Sequence, residues 1–596
     1  MAKSKTMTLD LPKWNLNDLY TNPKSKKLKI DLAWARSQSV NFRKTYKGKL
    51  KGLSGQRLGI AIRLYESIFE RTEKILSYGQ LLHATYMSDQ EVGAFFQNLQ
   101  EQITEISSNT MFFTLEINRL SEAVLKRQLK HSSVANYAPW LRDCRAFRDF
   151  QLSEEVEKLL HEKSMTSQNA WIRLFGETMA DMRFSIKGKR KREMTLADTL
   201  NMLSDKRPIY RKKAAKALNA GLLKNIRTLT LITNTLVKDK IIEDQWRQFP
   251  KPQSYRNLAN QVEDGVVDAL IGAVSDNYSN LSHRYYKLKA KWFGVRKLNT
   301  WDRNAPLPSD SNRRFSWSEA KSIVLSAYSG FDPKMAKIAE QFFDKQWIDA
   351  SPAPGKDSGA FSHSTVPSIH PYVMMNFHGK ARDVMTLAHE LGHGVHQVLA
   401  NVQGPLMSDT PLTLAETASV FGEMLTFQEM LKKESNIKRK RLLLAGKVED
   451  MMNTVVRQIA FHQFEVQVHI KRQTGELSVD SLAKIWMQVQ RESLGPAFRY
   501  DLEYQYFWAY IPHFVHAPFY VYAYAFGDCL VNSLYEVYSS GFPGFQAKYI
   551  DMLRAGGTLR HDELLAPFGL NATDPAFWNR GLSMISGFID ELETEL

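Results

Sequence analysis

The segment from Thr386 to Gln397 reads Thr-Leu-Ala-His-Glu-Leu-Gly-His-Gly-Val-His-Gln, and its His389, Glu390 and His393 are spaced for metal-assisted hydrolysis. On a helix, positions i and i+4 share a face one turn apart, so both imidazoles can reach one cation. Glu390 stands beside the first histidine, where a carboxylate can take a proton from water activated by that cation. His396 is seven residues beyond His389, a rise of about 10 Å, too far for both to bind one tetrahedral ion. It is read as a residue that faces the substrate or supports a ligand. A third histidine of the same motif would need Gly three positions and His six positions after His393; His396 and Leu399 stand there instead.

A carboxylate from a second helix is therefore required. Pro411 to Glu423 reads Pro-Leu-Thr-Leu-Ala-Glu-Thr-Ala-Ser-Val-Phe-Gly-Glu. Glu416 sits among Ala415, Ala418, Ser419 and Gly422, small residues that let this helix pack closely on the first. The competing reading is a capping box with Thr413 as N-cap and Glu416 three residues on. Asp409 or Thr410 before Pro411 is a rival helix start, which favours the ligand. Glu423 shares the face of Glu416 without reaching the same ion: it either orients a ligand histidine or is a solvated helix charge.

These residues need a scaffold. Leu387, Leu391, Val395 and Leu399 give the histidine segment an apolar row, so it reads as a buried amphipathic helix. Gly392 and Gly394 each cost it about 1 kcal/mol relative to Ala, which close approach by another backbone or a substrate would justify. Apolar residues at spacings of three and four predict helices over much of the chain, among them 60–82, 152–160, 210–223, 266–278 and 442–468. Strand signals concentrate between residues 358 and 377, predicting a small sheet immediately before the histidine helix. Residues 514–531 read as one buried helix rather than a membrane span, because they hold His516, Pro518, Asp528 and three tyrosines. No membrane association is expected.

The length of 596 residues exceeds one compact core, so two lobes are expected: an N-terminal helical lobe over 1–200 and a catalytic lobe over 201–596. Two cysteines, Cys144 and Cys529, give neither a disulfide framework nor a paired metal motif, which suits a reducing compartment. The first residues contain no apolar run of signal-peptide length, and the cytoplasm is the expected location. A formal charge of +16 raises nucleic acid as a partner. The densest basic run, residues 187–192, lies between two apolar segments and reads as an exposed turn. No nucleic-acid-binding signature accompanies it, so no nucleic-acid partner is expected.

Together the segments 389–397 (His-Glu-Leu-Gly-His-Gly-Val-His-Gln), 414–423 (Leu-Ala-Glu-Thr-Ala-Ser-Val-Phe-Gly-Glu) and 511–527 (Ile-Pro-His-Phe-Val-His-Ala-Pro-Phe-Tyr-Val-Tyr-Ala-Tyr-Ala-Phe-Gly) carry a resemblance. The chain resembles the oligoendopeptidase F branch of the thimet-oligopeptidase family of zinc metallopeptidases. Weaker support comes from Trp14 to Tyr20, Trp301 to Leu307 and Ser358-Gly359-Ala360-Phe361. The resemblance implies a mainly α fold of two helical lobes enclosing a deep substrate channel, with a small β-sheet beside the histidine helix. It implies one Zn2+ on His389, His393 and Glu416, Glu390 as general base, and short unstructured oligopeptides as substrates. It also implies that donors to the reaction's oxyanion come from Tyr524, with Tyr520 and His513 next; the alternative for each tyrosine is core packing. Rival readings are a zinc metallocarboxypeptidase of similar helical shape and a basic helical binding protein with a structural metal. The oligomeric state is open.

Overall fold

The structure is a computed structural model that describes residues 11–186, 192–307, 313–357 and 359–594. The basic run at 187–191 lies outside the described residues, as do the N-terminal stretch through Asp10 and Ser358. Most described residues are helical; of the segments expected from periodicity, 60–82 and 210–223 lie within single helices, 442–468 lies within a continuous helical run, and 152–160 and 266–278 each overrun their helices, Glu154–Lys163 and Asp264–Asp276, by two residues at one end. The strands are short: β1 (Phe184–Ile186), β2 (Arg192–Met194), β3 (Leu298–Asn299), β4 (Ile348–Asp349), β5 (Phe361–His363), β6 (Tyr372–Met374) and β7 (Phe498–Arg499). β1 and β2 form an antiparallel hairpin, and β3 pairs parallel with β7. These two pairs lie outside the region where strand signals concentrate; each strand has only two or three residues, too few to show a period of two.

The chain divides into two discontinuous units. The first holds Met1–Asp149, Arg313–Lys433 and Gly541–Gly569; the second holds Phe150–Asn312, Glu434–Ser540 and Leu570–Leu596. The boundary near residue 200 expected from the sequence falls within the second unit, because continuity along the chain and continuity in space divide this protein differently.

In the first unit the strand order β4-β6-β5 makes a three-stranded mixed sheet just before the histidine helix, Ala381–Ala400. Its parallel strand, β4, comes from further upstream than the sequence signals indicated. Lys356 staples this sheet: its ammonium is 1 % exposed and donates to Asp349 Oδ1 at 2.6 Å and to the carbonyls of Asp349, Ser351 and Met375. Such a buried pair is tolerable because every donor on the cation has a partner. The aromatic cluster of Phe331, Phe421, Phe545 and Tyr549 joins three sequence segments in one core.

The second unit is built on a 40-residue helix, Pro208–Arg247, against which the Arg457–Arg472 and Val479–Leu494 helices pack. Phe461, Phe464, Trp486 and Trp508 fill its core. Residues 514–531 do not form one helix. A short turn, His513–His516, is followed by a break, and a second helix runs Tyr522–Ser539. Pro518 cannot donate to a continuing ladder, and Phe519 adopts a left-handed φ of 59°, so the axis changes direction there. Among the described residues, no helix is long and apolar enough to cross a membrane.

Candidate metal centre

The histidine helix starts after Gly379, whose φ of +77° turns the chain out of the sheet. Asp383 Oδ2 accepts the main-chain N–H groups of His378 and Lys380 at 2.7 and 2.9 Å, capping the first turn. Leu387, Ala388, Leu391 and Val395 are fully buried, which fixes the helix rotation and points His389 and His393 along a common face.

Against that face lies the glutamate helix, Leu412–Lys433. A Cβ on Gly392 would come within 2.4 Å of the Ala418 carbonyl oxygen and 2.6 Å of Ser419 Cα, so only glycine permits this approach. The same logic holds at Gly422, where a Cβ would meet the Tyr328 hydroxyl; that hydroxyl donates to the Ala388 carbonyl and ties both helices to a third. The glutamate helix begins at Leu412, with the N–H groups of Leu414 and Ala415 on the Pro411 carbonyl. Thr413 is already helical, so the capping-box reading of Glu416 does not apply.

The consequence is a compact donor set. One ligand atom each from His389, His393 and Glu416 lie within 4.8 Å of one another. Glu416 Oε2 stands 3.4 Å from His389 Nε2 and 3.6 Å from His393 Nε2, and the two imidazole rings are 4.9 Å apart at 84°. Glu416 Oε2 also accepts the Ser419 hydroxyl at 2.7 Å, which orients it. Glu423 Oε2 lies 3.4 Å from Nδ1 of His389, the nitrogen away from the triad, so of its two readings the geometry matches an orienting carboxylate. Two imidazoles and one carboxylate fit a small divalent ion that prefers nitrogen and oxygen donors, with room left for a further ligand.

The charges respond to that crowding. Burial alone would lower His389, but its hydrogen bond to Glu423 and the carboxylates of Glu416 and Glu390 outweigh it and lift it to about 9. His393 is lowered to about 4 by burial, partly offset by Glu416. Burial works to raise Glu416, yet His393 and His389 outweigh it and hold its carboxyl below the usual value. Glu390, 6 % exposed, is pushed up to about 7 by burial, against the attraction of His389. A main-chain hydrogen bond from Ser362 on β5 steadies its carboxylate. His396 is buried, lowered to about 4 by burial, and shares the Ala415 main chain with His393 as a hydrogen-bond partner. It is not part of the donor set.

Ser419, Tyr328 and Ser362 take positioning roles that the sequence did not single out. Ser419, three residues after Glu416, was recognisable only as a small residue. Tyr328 and Ser362 come from segments whose approach no local pattern encodes.

In the second unit, His513, Tyr520 and Tyr524 gather: His513 Nε2 is 3.3 Å from the Tyr524 hydroxyl, and the Tyr520 and Tyr524 rings are 5.1 Å apart. Tyr522 turns the other way, fully buried, its hydroxyl accepting from Asn260 at 2.9 Å. The strained Phe519 between them is held by Glu465, which accepts its main-chain N–H at 2.8 Å.

A sequence model described as Peptidase family M3 matches residues 201–584, and one described as Oligopeptidase F matches residues 116–184. The chain is 28 % identical to Oligopeptidase PepF of Bacillus subtilis, over 97 % of this chain and 86 % of that one. It is 26 % identical to the Oligoendopeptidase F homolog of Lactococcus lactis, covering 100 % and 98 %. The crystal structure of oligoendopeptidase-F from Enterococcus faecium superposes with a TM-score of 0.72 at 20 % identity, covering 95 % of this chain and 97 % of that one. That likeness speaks to the fold, which is mainly α in both.

Proposed function

The chain belongs to peptidase family M3 and is a metalloendopeptidase, and from that premise we propose that it hydrolyses internal bonds of short, unstructured oligopeptides with one Zn2+ on His389, His393 and Glu416. The observation that carries the reading is the donor set itself, three ligand atoms within 4.8 Å, with the buried Glu390 carboxyl next to the first of them. Zinc, when bound, supplies a Lewis acid that activates water and polarises the scissile carbonyl. Glu390 takes the proton of the attacking water and delivers it to the leaving amine; Ser362 N–H keeps its carboxylate turned to that task. Glu423 holds His389 in the tautomer that offers Nε2 to the ion.

The developing oxyanion needs further donors, and His513, Tyr520 and Tyr524 are assigned that role, Tyr524 foremost. Their mutual grouping and the family resemblance support the assignment. The substrate lies along the outer edge of β5 near Ala360, held by main-chain hydrogen bonds that are indifferent to sequence. A cytoplasmic location accompanies the reading, in keeping with two unpaired cysteines.

The test is hydrolysis of internally quenched peptides of graded length by protein of measured zinc content, with free and amidated C-termini. Cleavage at internal bonds of both forms, lost on chelation and restored by zinc, is expected. Cleavage confined to free C-termini would establish the carboxypeptidase reading instead. Stoichiometric zinc with no hydrolysis of any peptide would make the metal structural.

A further inference from the structure

β5 pairs antiparallel with β6 in the register Phe361↔Met374, Ser362↔Val373 and His363↔Tyr372. Val373 spends its N–H on the Trp347 carbonyl, beside β4, so it is turned away from β5. Ser362 therefore presents its own N–H and carbonyl to the outer edge. There the N–H reaches Glu390, and the carbonyl accepts from Gln397 Nε2 at 3.3 Å. That part of the edge is taken. Two residues back, Ala360 faces the same way, and among the described residues its main chain makes no hydrogen bond. An extended peptide on this edge must dock at Ala360, next to the catalytic carboxylate.

Side chains alternate across a sheet. Ser362 points toward the histidine helix, where its hydroxyl meets Gln397 at 2.8 Å. Phe361 takes the opposite face. On that face, Phe361 and Asp357 line a hollow of about 410 Å3 with Gln80, His83, Met87 and Phe96. A peptide residue opposite Ala360 would point toward the histidine helix, so its neighbour would point into this hollow.

The lining is selective. Its rings and thioether suit an alkyl stem, and among the described residues Asp357 is its only carboxylate and no lysine or arginine lines it, although the chain as a whole carries a charge of +16. The adjacent Lys356 is turned into the sheet and neutralised by Asp349. Asp357 itself is fixed in place: its N–H donates to the Ala84 carbonyl at 2.8 Å, its carbonyl accepts from Asn376, and its Oδ1 accepts the Gly359 N–H.

We propose that this hollow is a subsite for one basic side chain of the substrate, Arg or Lys, whose stem lies against Phe361 and Phe96 and whose charge meets Asp357. The proposal rests on the peptidase reading above and adds to it a position-specific preference. The test compares peptides differing only by Arg or its uncharged analogue citrulline, placed in turn at each of three residues on either side of the cleaved bond. Zinc-loaded wild type and Asp357→Asn are compared; Asn keeps an oxygen for Gly359 and so preserves the loop.

For the wild type, the Arg-to-citrulline ratio of kcat/KM should be about fivefold to tenfold at one position and near unity elsewhere, as a half-buried ion pair with an aromatic contact provides. In Asp357→Asn that ratio should collapse toward one. The Kd of the same peptides for zinc-loaded Glu390→Gln should show the same preference, without turnover. A flat wild-type profile, or a ratio that Asp357→Asn leaves intact, overturns the subsite while leaving the peptidase reading standing. A wild type that cleaves none of the peptides overturns both.

Discussion

Gly392→Ala tests the claim that backbone proximity, rather than ligand identity alone, builds the metal centre. The added Cβ would stand 2.4 Å from the Ala418 carbonyl oxygen and 2.6 Å from Ser419 Cα, both main-chain atoms that no side-chain rotation can move. Ordinary contact begins near 3.4 Å, so the glutamate helix must retreat by about 1 Å at a point two to three residues from Glu416. Metal coordination tolerates errors of only about 0.2 Å. Zinc affinity should therefore fall about tenfold to a hundredfold, the range found when ligand orientation is disturbed. Global stability moves less, because the roughly 1 kcal/mol gain in helix propensity offsets part of the 1–3 kcal/mol strain.

Competition with a chromogenic chelator gives the affinity, and thermal unfolding of the metal-free protein gives the stability. Gly446→Ala is the control: it lies on an exposed helical face with nothing within 4 Å of the added Cβ, so it should stabilise slightly and leave zinc untouched. Zinc affinity of Gly392→Ala within twofold of wild type would show that the two helices are not held at fixed distance, and the reasoning would fail.

Glu390→Gln should retain one zinc per chain and lose at least about 1,000-fold in kcat, read by metal analysis beside a quenched-peptide assay; near-normal turnover would remove Glu390 as base. Glu423→Gln should weaken zinc about tenfold or more, whereas Glu416→Ala should weaken it further; the reverse order would exchange the two carboxylates' roles. Tyr524→Phe should lower kcat by about 100-fold or more with zinc content and KM little changed, and a kcat above a third of wild type would return the tyrosine to packing. Burial raises Glu465 to about 8, above its unfolded value, so the folded state holds a proton that the unfolded state has lost. Stability from this group is present at acid pH and falls as pH rises through about 8, by about 1 kcal/mol per unit. Glu465→Gln, which keeps an acceptor for Phe519, should gain thermal stability over wild type increasingly between pH 5.5 and 8; a constant difference would refute it. The buried His462 and His469, lowered to about 4 and 3 by burial, act at the opposite end, where acid destabilises both proteins alike.

The sequence by itself determined what can be written within one or two turns of helix. His389, Glu390 and His393 need only the i, i+4 period to share a face, and Glu416 was legible because small residues at 415, 418, 419 and 422 announce a close helix contact. The mainly helical class followed from apolar spacing that recurs over many turns, which short-range sterics enforce wherever they occur. Tertiary structure decided what distance along the chain conceals. Pairings of two or three residues, such as β3 with β7 and β4 with β6, carry no period to read, and the partners are separated by a long run of helices in the first case and by about twenty residues in the second. The break at Pro518 and Phe519 depends on Glu465, more than fifty positions away, whose buried carboxyl holds the strained amide. That Glu423 lies beside His389 Nδ1 rather than in solvent follows only from the way the glutamate helix packs on the histidine helix. Helical period is a local property of the backbone and is written in every few residues; the meeting of two segments is a long-range compromise of volume and polarity, and it is fixed only when the whole unit closes around them.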